Sequence, residues 1–252
     1  MKADIIWLAS IDSTNEEAKR RISDIDNLSV VSALEQTSGR GQRGNAWDST
    51  PSENLLFSIV LKSPSIKAEE HFALNEITAL SVIDFLSTYG VKAKIKWPND
   101  IYVGEKKICG ILIENSFRGK SISSSIVGIG LNINQRNFNV NIPNPTSMVL
   151  CRPEAHFDIH TCLEEFIDIF ISNLERYLYP SPDDSGRTGS RKAYIADLWR
   201  LNEPAVFADL NLSCKFNGII RNLSPIGHLQ IEDTDKGELR EFAFKEIGYI
   251  ID

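Results

Sequence analysis

The spacing of apolar and polar positions along the chain changes character near residue 203. Before it the elements are long. Residues 4–8, Leu28 to Leu34 and Asn54 to Lys62 are apolar runs of strand length, and the last is continuous enough to be a buried strand. Thr14 followed by Glu17 fits a capping box, so a helix is expected to begin there. His71 to Tyr89 carries Phe72, Leu74, Ile77, Leu80, Ile83 and Leu86 at spacings of roughly three and four, which predicts a helix that Gly90 stops. The run from Lys94 reads as a strand ending at Pro98, Asn99-Asp100 as a turn, and Tyr102 to Glu114 as a hairpin turning at Gly104. Ser121 to Asn134 is a further strand. Residues 135–149, rich in Asn and Pro, form a long polar loop suited to be a lid. Asp158 to Tyr179 is an amphipathic helix, Pro180 to Arg191 an exposed loop, and Ala193 to Leu201 a short helix. From Glu203 the runs shorten to Ala205–Leu210, Ser213–Leu223, His228–Asp233 and Arg240–Phe244, separated by turn signals. This predicts a small antiparallel β-barrel. The pattern therefore predicts an α+β protein with a large domain over 1–202 and a small barrel domain over 203–252.

Composition narrows the function classes. At 252 residues and 42% hydrophobic, the chain can bury a sizeable core. Its net charge of −7 argues against a general nucleic-acid binder, whose footprint is basic. The four cysteines are scattered without paired spacing and read as reduced cytosolic thiols. The N-terminus has no signal-peptide core and no apolar run reaches membrane-spanning length, so a cytoplasmic protein without membrane attachment is expected. Cys151, His156, His160 and Cys162 lie near one another, but the histidines fall at a helix start and the cysteines lack ligand spacing, so a zinc site is rejected.

Candidate chemistry centres on Glu35-Gln-Thr-Ser-Gly-Arg-Gly-Gln-Arg-Gly-Asn-Ala-Trp47, a glycine–arginine loop between two strands. Glycine lets backbone N–H groups approach a ligand, and arginine supplies a fixed fork of positive charge. The loop reads either as one that closes over an anion or as a solvated turn or RNA-binding tract. Trp47 reads as a hydrophobic plug or as a platform for a base. Adjacent strand residues face opposite ways, so of Lys106 and Lys107 one points inward. Gly110 within an apolar strand, and Gly128 and Gly130 on one face of another, leave room for a ligand. Asn99 and Asp100 are either an ordinary turn or polar groups placed near phosphates or a metal ion.

Five stretches together resemble the biotin protein ligase family. They are Asp12-Ser-Thr-Asn15, Glu35 to Gly44 with Trp47, Lys96-Trp-Pro-Asn-Asp100, Lys107-Ile-Cys-Gly-Ile-Leu-Ile-Glu114 and Gly128-Ile-Gly-Leu-Asn132, in the family's order. The resemblance implies a catalytic domain like that of class II aminoacyl-tRNA synthetases, a mixed sheet with helices, plus an SH3-like C-terminal barrel. It implies formation of biotinyl-5′-AMP from biotin and ATP, then transfer of biotin to a lysine of a biotin carboxyl carrier domain. Lys107 and Arg40 would be catalytic. Ser13, Thr14, Asn15, Gln36, Gly39, Arg40, Gly41, Gln42, Lys107, Gly110, Gly128 and Leu131 would meet biotin or its adenylate. Trp47, Asn99, Asp100 and Asn132 would meet the nucleotide, with magnesium carried by ATP near Asp100 and no prosthetic group. Gln42 stands where many members carry Arg, and Lys245-Glu-Ile-Gly248 where many show a Gly-Glu pair. Some members carry an N-terminal DNA-binding domain; this chain starts at the catalytic domain, so no DNA binding is expected, while a homodimer is left open. The rivals are a lipoate or octanoate ligase on a similar fold and a non-catalytic RNA-binding module.

Overall fold

The computed structural model describes residues 3–180 and 186–250. Its larger sheet has seven strands: β1 (Ile5–Leu8), β2 (Val30–Ala33), β3 (Leu55–Lys62), β4 (Lys94–Lys96), β5 (Asp100–Val103), β6 (Lys106–Arg118) and β7 (Ser121–Leu131), in the spatial order β1-β2-β3-β7-β6-β5-β4. Only β1 and β2 run parallel; every other pair is antiparallel. The helices are α1 (Thr14–Arg21), α2 (Phe72–Thr88), α3 (Met148–Cys151), α4 (Ile159–Leu178) and α5 (Gly186–Ala196). A second, antiparallel sheet is built from β8 (Pro204–Asp209), β9 (Cys214–Leu223), β10 (Leu229–Asp233), β11 (Glu238–Phe242) and β12 (Ile247–Tyr249), ordered β11-β10-β9-β8-β12.

Strand periodicity assigns the two faces of the large sheet. On one face Val30, Ile59, Ile111, Val127 and Ile129 join the main core. There α2 and α4 cover them, with Phe57 edge-on to Phe166 at 5.2 Å and Phe85 edge-on to the same ring at 5.9 Å. On the other face Val31, Val60 and Ile126 make a small separate cluster with Ala18 of α1. This second face is bare beside α1, because β6 and β7 present Gly110, Gly128 and Gly130 there. Gly110 and Gly130 are directly paired across the strands, and Gly128 is opposite Ser58.

Several elements depart from the sequence expectations. The Thr14–Glu17 capping box is not formed: Ser13 is the N-cap without a side-chain bond, and Glu17 instead pairs with Arg20 and Arg21. Helix α5 begins at Gly186, inside the stretch expected to be an exposed loop, and ends at Ala196 rather than Leu201; residues 181–185 of that stretch lie outside the described residues. Its polar sequence hid a helix whose buried face is small, Ser190 and Tyr194. The short strand β12 was not expected. The loop 135–147 is stitched to the start of β6, where Lys107 N–H donates to Asn144 O and Thr146 N–H donates to Lys107 O, both at 2.8 Å.

The two sheets are joined through polar contacts. Trp97 Nε1 donates to Gly227 O at 2.9 Å. Arg191 of α5 pairs with the buried Glu76 of α2 and donates to the carbonyls of Ser224 and Pro225 beyond β9. Burial pushes the Glu76 carboxyl up, and Arg191 and Ser190 work against that shift. Glu76→Ala would leave the guanidinium without its counter-ion. It is expected to cost about 3 kcal/mol of stability, read as a lowered urea midpoint; an unchanged midpoint would contradict the role given to this pair.

Candidate functional site

A small cavity of about 50 Å³ lies on the glycine face of the large sheet. Gly110, Gly128 and Gly130 form its floor, Ser13, Thr14 and Asn15 its side, and Gln36, Arg40, Gly41, Gln42 and Trp47 its cover. The glycines are required by close approach. A Cβ on Gly110 would stand 2.8 Å from the Trp47 ring, one on Gly130 would overlap the same ring, and one on Gly128 would overlap the Asn15 amide. The glycine–arginine loop folds as a tight hairpin, with Trp47 N–H on Gly39 O at 2.9 Å and Gly41 N–H on Asn45 O at 2.7 Å, and it lays the indole across this floor. The hydrophobic-plug reading of Trp47 matches that position. Ligand pockets usually run to roughly 300–1,000 Å³, so the indole must shift before a ligand of ordinary size can enter.

A polar network frames the cavity. Ser58 Oγ donates to Asn15 Oδ1 at 2.6 Å and lies 2.8 Å from Thr14 Oγ1. Thr14 N–H donates to Gln36 Oε1 at 2.7 Å. Asn15 Nδ2 donates to Glu114 Oε2 at 2.7 Å, and Lys19 Nζ donates to Glu114 Oε1 at the same distance. Arg40 pairs with Glu16 and lies 3.6 Å from Glu114. Burial alone raises the Glu114 carboxyl, but the bonds from Lys19 and Asn15 outweigh it and hold the group below its ordinary 4.5. Ser58 and Glu114 were not among the expected site residues. Both face the cavity side because they share strand parity with Gly128 and Gly110, the signal that would have found them.

Beyond the cavity lie two open clefts of about 480 Å³ each. Lys107 and Trp47 line the cavity and both clefts; Asp100 and Lys96 line both clefts. Lys107 is the half-buried member of the lysine pair and Lys106 the exposed one. Its Nζ is 2.7 Å from Asp100 Oδ1 and 5.5 Å from the centre of the Trp47 ring. Five buried side-chain polar atoms lack a partner among the described residues, and four belong to the lining of this site: Gln42 Oε1, Trp47 Nε1, Asn132 Oδ1 and Tyr249 Oη. A buried unpaired polar atom costs roughly 1–3 kcal/mol, so Gln42, Trp47 and Asn132 each carry a group that a ligand would partner.

Most expected site residues thus converge. Arg40 and Lys107 share one cavity. Asn99 lines it too, with its amide on Ile111 O at 2.7 Å. Gly39 is packed under the Trp47 backbone as part of the hairpin. Leu131 does not reach the cavity: it is fully buried in the core, on the face opposite the glycines. The side chain of Arg43 lies outside the described residues. Among the described residues no cluster of three or more His, Cys, Asp or Glu could hold a metal ion, and no helix is long and apolar enough to cross a membrane.

Residues 7–132 match the family model described as "Biotin/lipoate A/B protein ligase family". A biotin–[acetyl-CoA-carboxylase] ligase of Paracoccus denitrificans is 32% identical over 203 residues, covering 79% of this chain and 82% of that protein. A bifunctional ligase/repressor BirA of Bacillus spizizenii is 34% identical over 138 residues; the match covers 54% of this chain and only 42% of that protein. Among solved structures, the biotin protein ligase from Aquifex aeolicus in complex with biotin and ATP superimposes with a TM-score of 0.80 at 26% identity, covering 97% of each chain. The superposition takes in both the mixed sheet with its helices and the C-terminal sheet, which fits an SH3-like fold.

Two outcomes are expected of this site. Glu114 has a lowered folded-state value, so the stability it contributes is fully present above about pH 4.5 and is lost as pH falls through the lowered value. Glu114→Gln is therefore expected to lower the melting temperature near neutrality and to flatten its acid limb; a parallel acid limb would contradict it. Gly128→Ala is expected to push Asn15 off Ser58 and Glu114 and to abolish ligand-induced thermal stabilisation, with the fold retained by circular dichroism.

Proposed function

The chain belongs to the biotin/lipoate A/B protein ligase family, and we propose that within it the protein is an ATP-dependent biotin protein ligase. It joins biotin to ATP as biotinyl-5′-AMP and then transfers the biotin to a lysine of a biotin carboxyl carrier domain. The carrying observation is that Lys107 lines the glycine-floored cavity and both clefts at once, with Arg40 at the cavity's edge. A site for two anionic substrates that must meet needs a cation at their junction. The biotin-specific reading is supported by the Paracoccus relative, named as a biotin–[acetyl-CoA-carboxylase] ligase, and by the Aquifex structure holding biotin and ATP.

In the first step a biotin carboxylate oxygen attacks the α-phosphorus. The new C–O–P linkage forms, the bond to the β-phosphate oxygen breaks, and pyrophosphate leaves with the electron pair. Two unit charges about 4 Å apart repel by roughly 1 kcal/mol in water and roughly 4 kcal/mol at an effective dielectric of 20. Lys107 offsets that repulsion at the carboxylate and α-phosphate, and Asp100 holds its ammonium in place until substrate arrives. Ser13, Thr14 and Gln36 offer hydroxyl, N–H and amide groups to the ureido ring, and Asn15 shapes the end of the cavity through Glu114 and Ser58. Asn132 Oδ1, a buried acceptor without a partner in the lining of one cleft, is available to the nucleotide. Magnesium enters with ATP as part of the substrate. In the second step the neutral amine of the carrier lysine attacks the acyl carbon and AMP departs. Arg40, Gly41 and Gln42, with the rest of the hairpin, cover the mixed anhydride against water meanwhile.

The test is pyrophosphate release. It is expected to require biotin and ATP together and to fail when lipoate replaces biotin; release with lipoate but not biotin would overturn the reading in favour of the lipoate branch of the family. Lys107→Ala is expected to slow release by about 10²–10³-fold with the fold intact. Arg40→Ala is expected to weaken biotin and adenylate binding, and equal affinities by calorimetry would remove Arg40 from the site.

A further inference from the structure

Lys96 stands apart from the other cations of the site. Arg40 is paired with Glu16 and Lys107 with Asp100. Lys96 faces Asp100 across the β4–β5 ladder, but that carboxylate is already engaged by Lys107, and Lys96 has no ion pair among the described residues. Its ammonium instead lies between two aromatic faces, 4.9 Å from the centre of the Tyr102 ring and 5.0 Å from that of Tyr249. Such contacts orient a cation without neutralising it. Tyr102 is on β5 of the large sheet and Tyr249 on β12 of the C-terminal sheet, so the cage spans the join between the two. Tyr249 is itself wedged against Trp199 at 5.7 Å and Phe207 at 5.6 Å. Burial makes the charged form of Lys96 costly; Asp100 works against that effect, and the nearby Lys107 and Arg200 add to it. The ammonium lines both clefts beside Lys107.

A desolvated, oriented, unpaired cation next to the group that meets the α-phosphate is suited to the remaining charge of a triphosphate. We propose that Lys96 binds the β- and γ-phosphates of ATP and carries the negative charge that builds on pyrophosphate as it leaves. We further propose that Tyr249, from the C-terminal sheet, is the positioning residue that holds Lys96 there. The small sheet then takes part in adenylate formation through one ring face. The leaving group keeps the electron pair of the broken phosphorus–oxygen bond, and Lys96 stabilises that charge without itself being altered. This inference rests on the ligase reading above.

The experiment has arms that separate the two. Pyrophosphate binding to the protein alone, followed by calorimetry, needs neither biotin nor turnover. Lys96→Gln is expected to weaken it by about tenfold or more, and Lys96→Arg to restore most of it. In the full reaction Lys96→Gln is expected to slow pyrophosphate release by about 10²-fold, while transfer from synthetic biotinyl-5′-AMP to a carrier domain changes by less than about threefold, because that step involves no pyrophosphate. Tyr249→Leu is expected to reproduce a weaker version of the Lys96→Gln defect and Tyr249→Phe to reverse it, since the ring face and not the hydroxyl makes the contact. Unchanged pyrophosphate affinity in Lys96→Gln, or an equal loss in both half-reactions, would overturn the assignment of Lys96. Tyr249→Leu behaving as wild type would overturn that of Tyr249. Wild-type protein that binds pyrophosphate through Lys96 but releases none with biotin and ATP would instead overturn the ligase reading and leave the phosphate site standing.

Discussion

Everything at this site depends on side chains that are missing. Gly110, Gly128 and Gly130 strip one patch of a seven-stranded sheet of its cover, and close packing then forces something else into the space. Asn15 and the Trp47 indole fill it. Because Asn15 stands at the start of a helix and Trp47 at the end of a loop, the patch draws two remote segments of chain to one spot. The network through Ser58 and Glu114 follows from that approach, since an amide brought into a half-buried position must find partners.

The charges around this patch are arranged in graded readiness. Arg40 sits at the cavity's edge with 44% of its side chain exposed and is shared between Glu16 and Glu114. Lys107 is less exposed and, among the described residues, has its one ion pair with Asp100. Lys96 has aromatic faces in place of a carboxylate. Among the described residues these three cations thus meet two carboxylates, one and none, while Asp100 lines both clefts beside Lys107 and Lys96. In a chain of net charge −7, Arg40, Lys107 and Lys96 give this site a local positive character.

Much of this was open to reading from the residues. Continuous apolar runs and three-to-four spacing located β3, α2 and α4 to within a residue or two, because burial on one side imposes its period on the chain. The glycines, the arginine loop and the lysine pair were found from residue type, since few chemistries need those residues at those spacings. Parity also predicted that one of Lys106 and Lys107 points inward, without saying which. The first part of helix α5 was missed because its partners are remote: Arg187 and Arg191 pair with Glu70 and Glu76, residues more than a hundred positions away. Leu131 was misplaced because a motif marks a neighbourhood, whereas its side chain follows strand parity into the core.

Local rules thus decided most of the strands and helices, which face of each long strand is apolar, and which residues are chemically capable of handling anions. Only tertiary packing decided that Trp47 lies on Gly110 and Gly130, that Glu114 closes onto Asn15, and that a tyrosine from the last strand meets Lys96. The reason is distance along the chain: a period or a turn signal is written within a few residues, whereas each of those contacts is chosen by the shape of a surface that exists only once the sheet has formed.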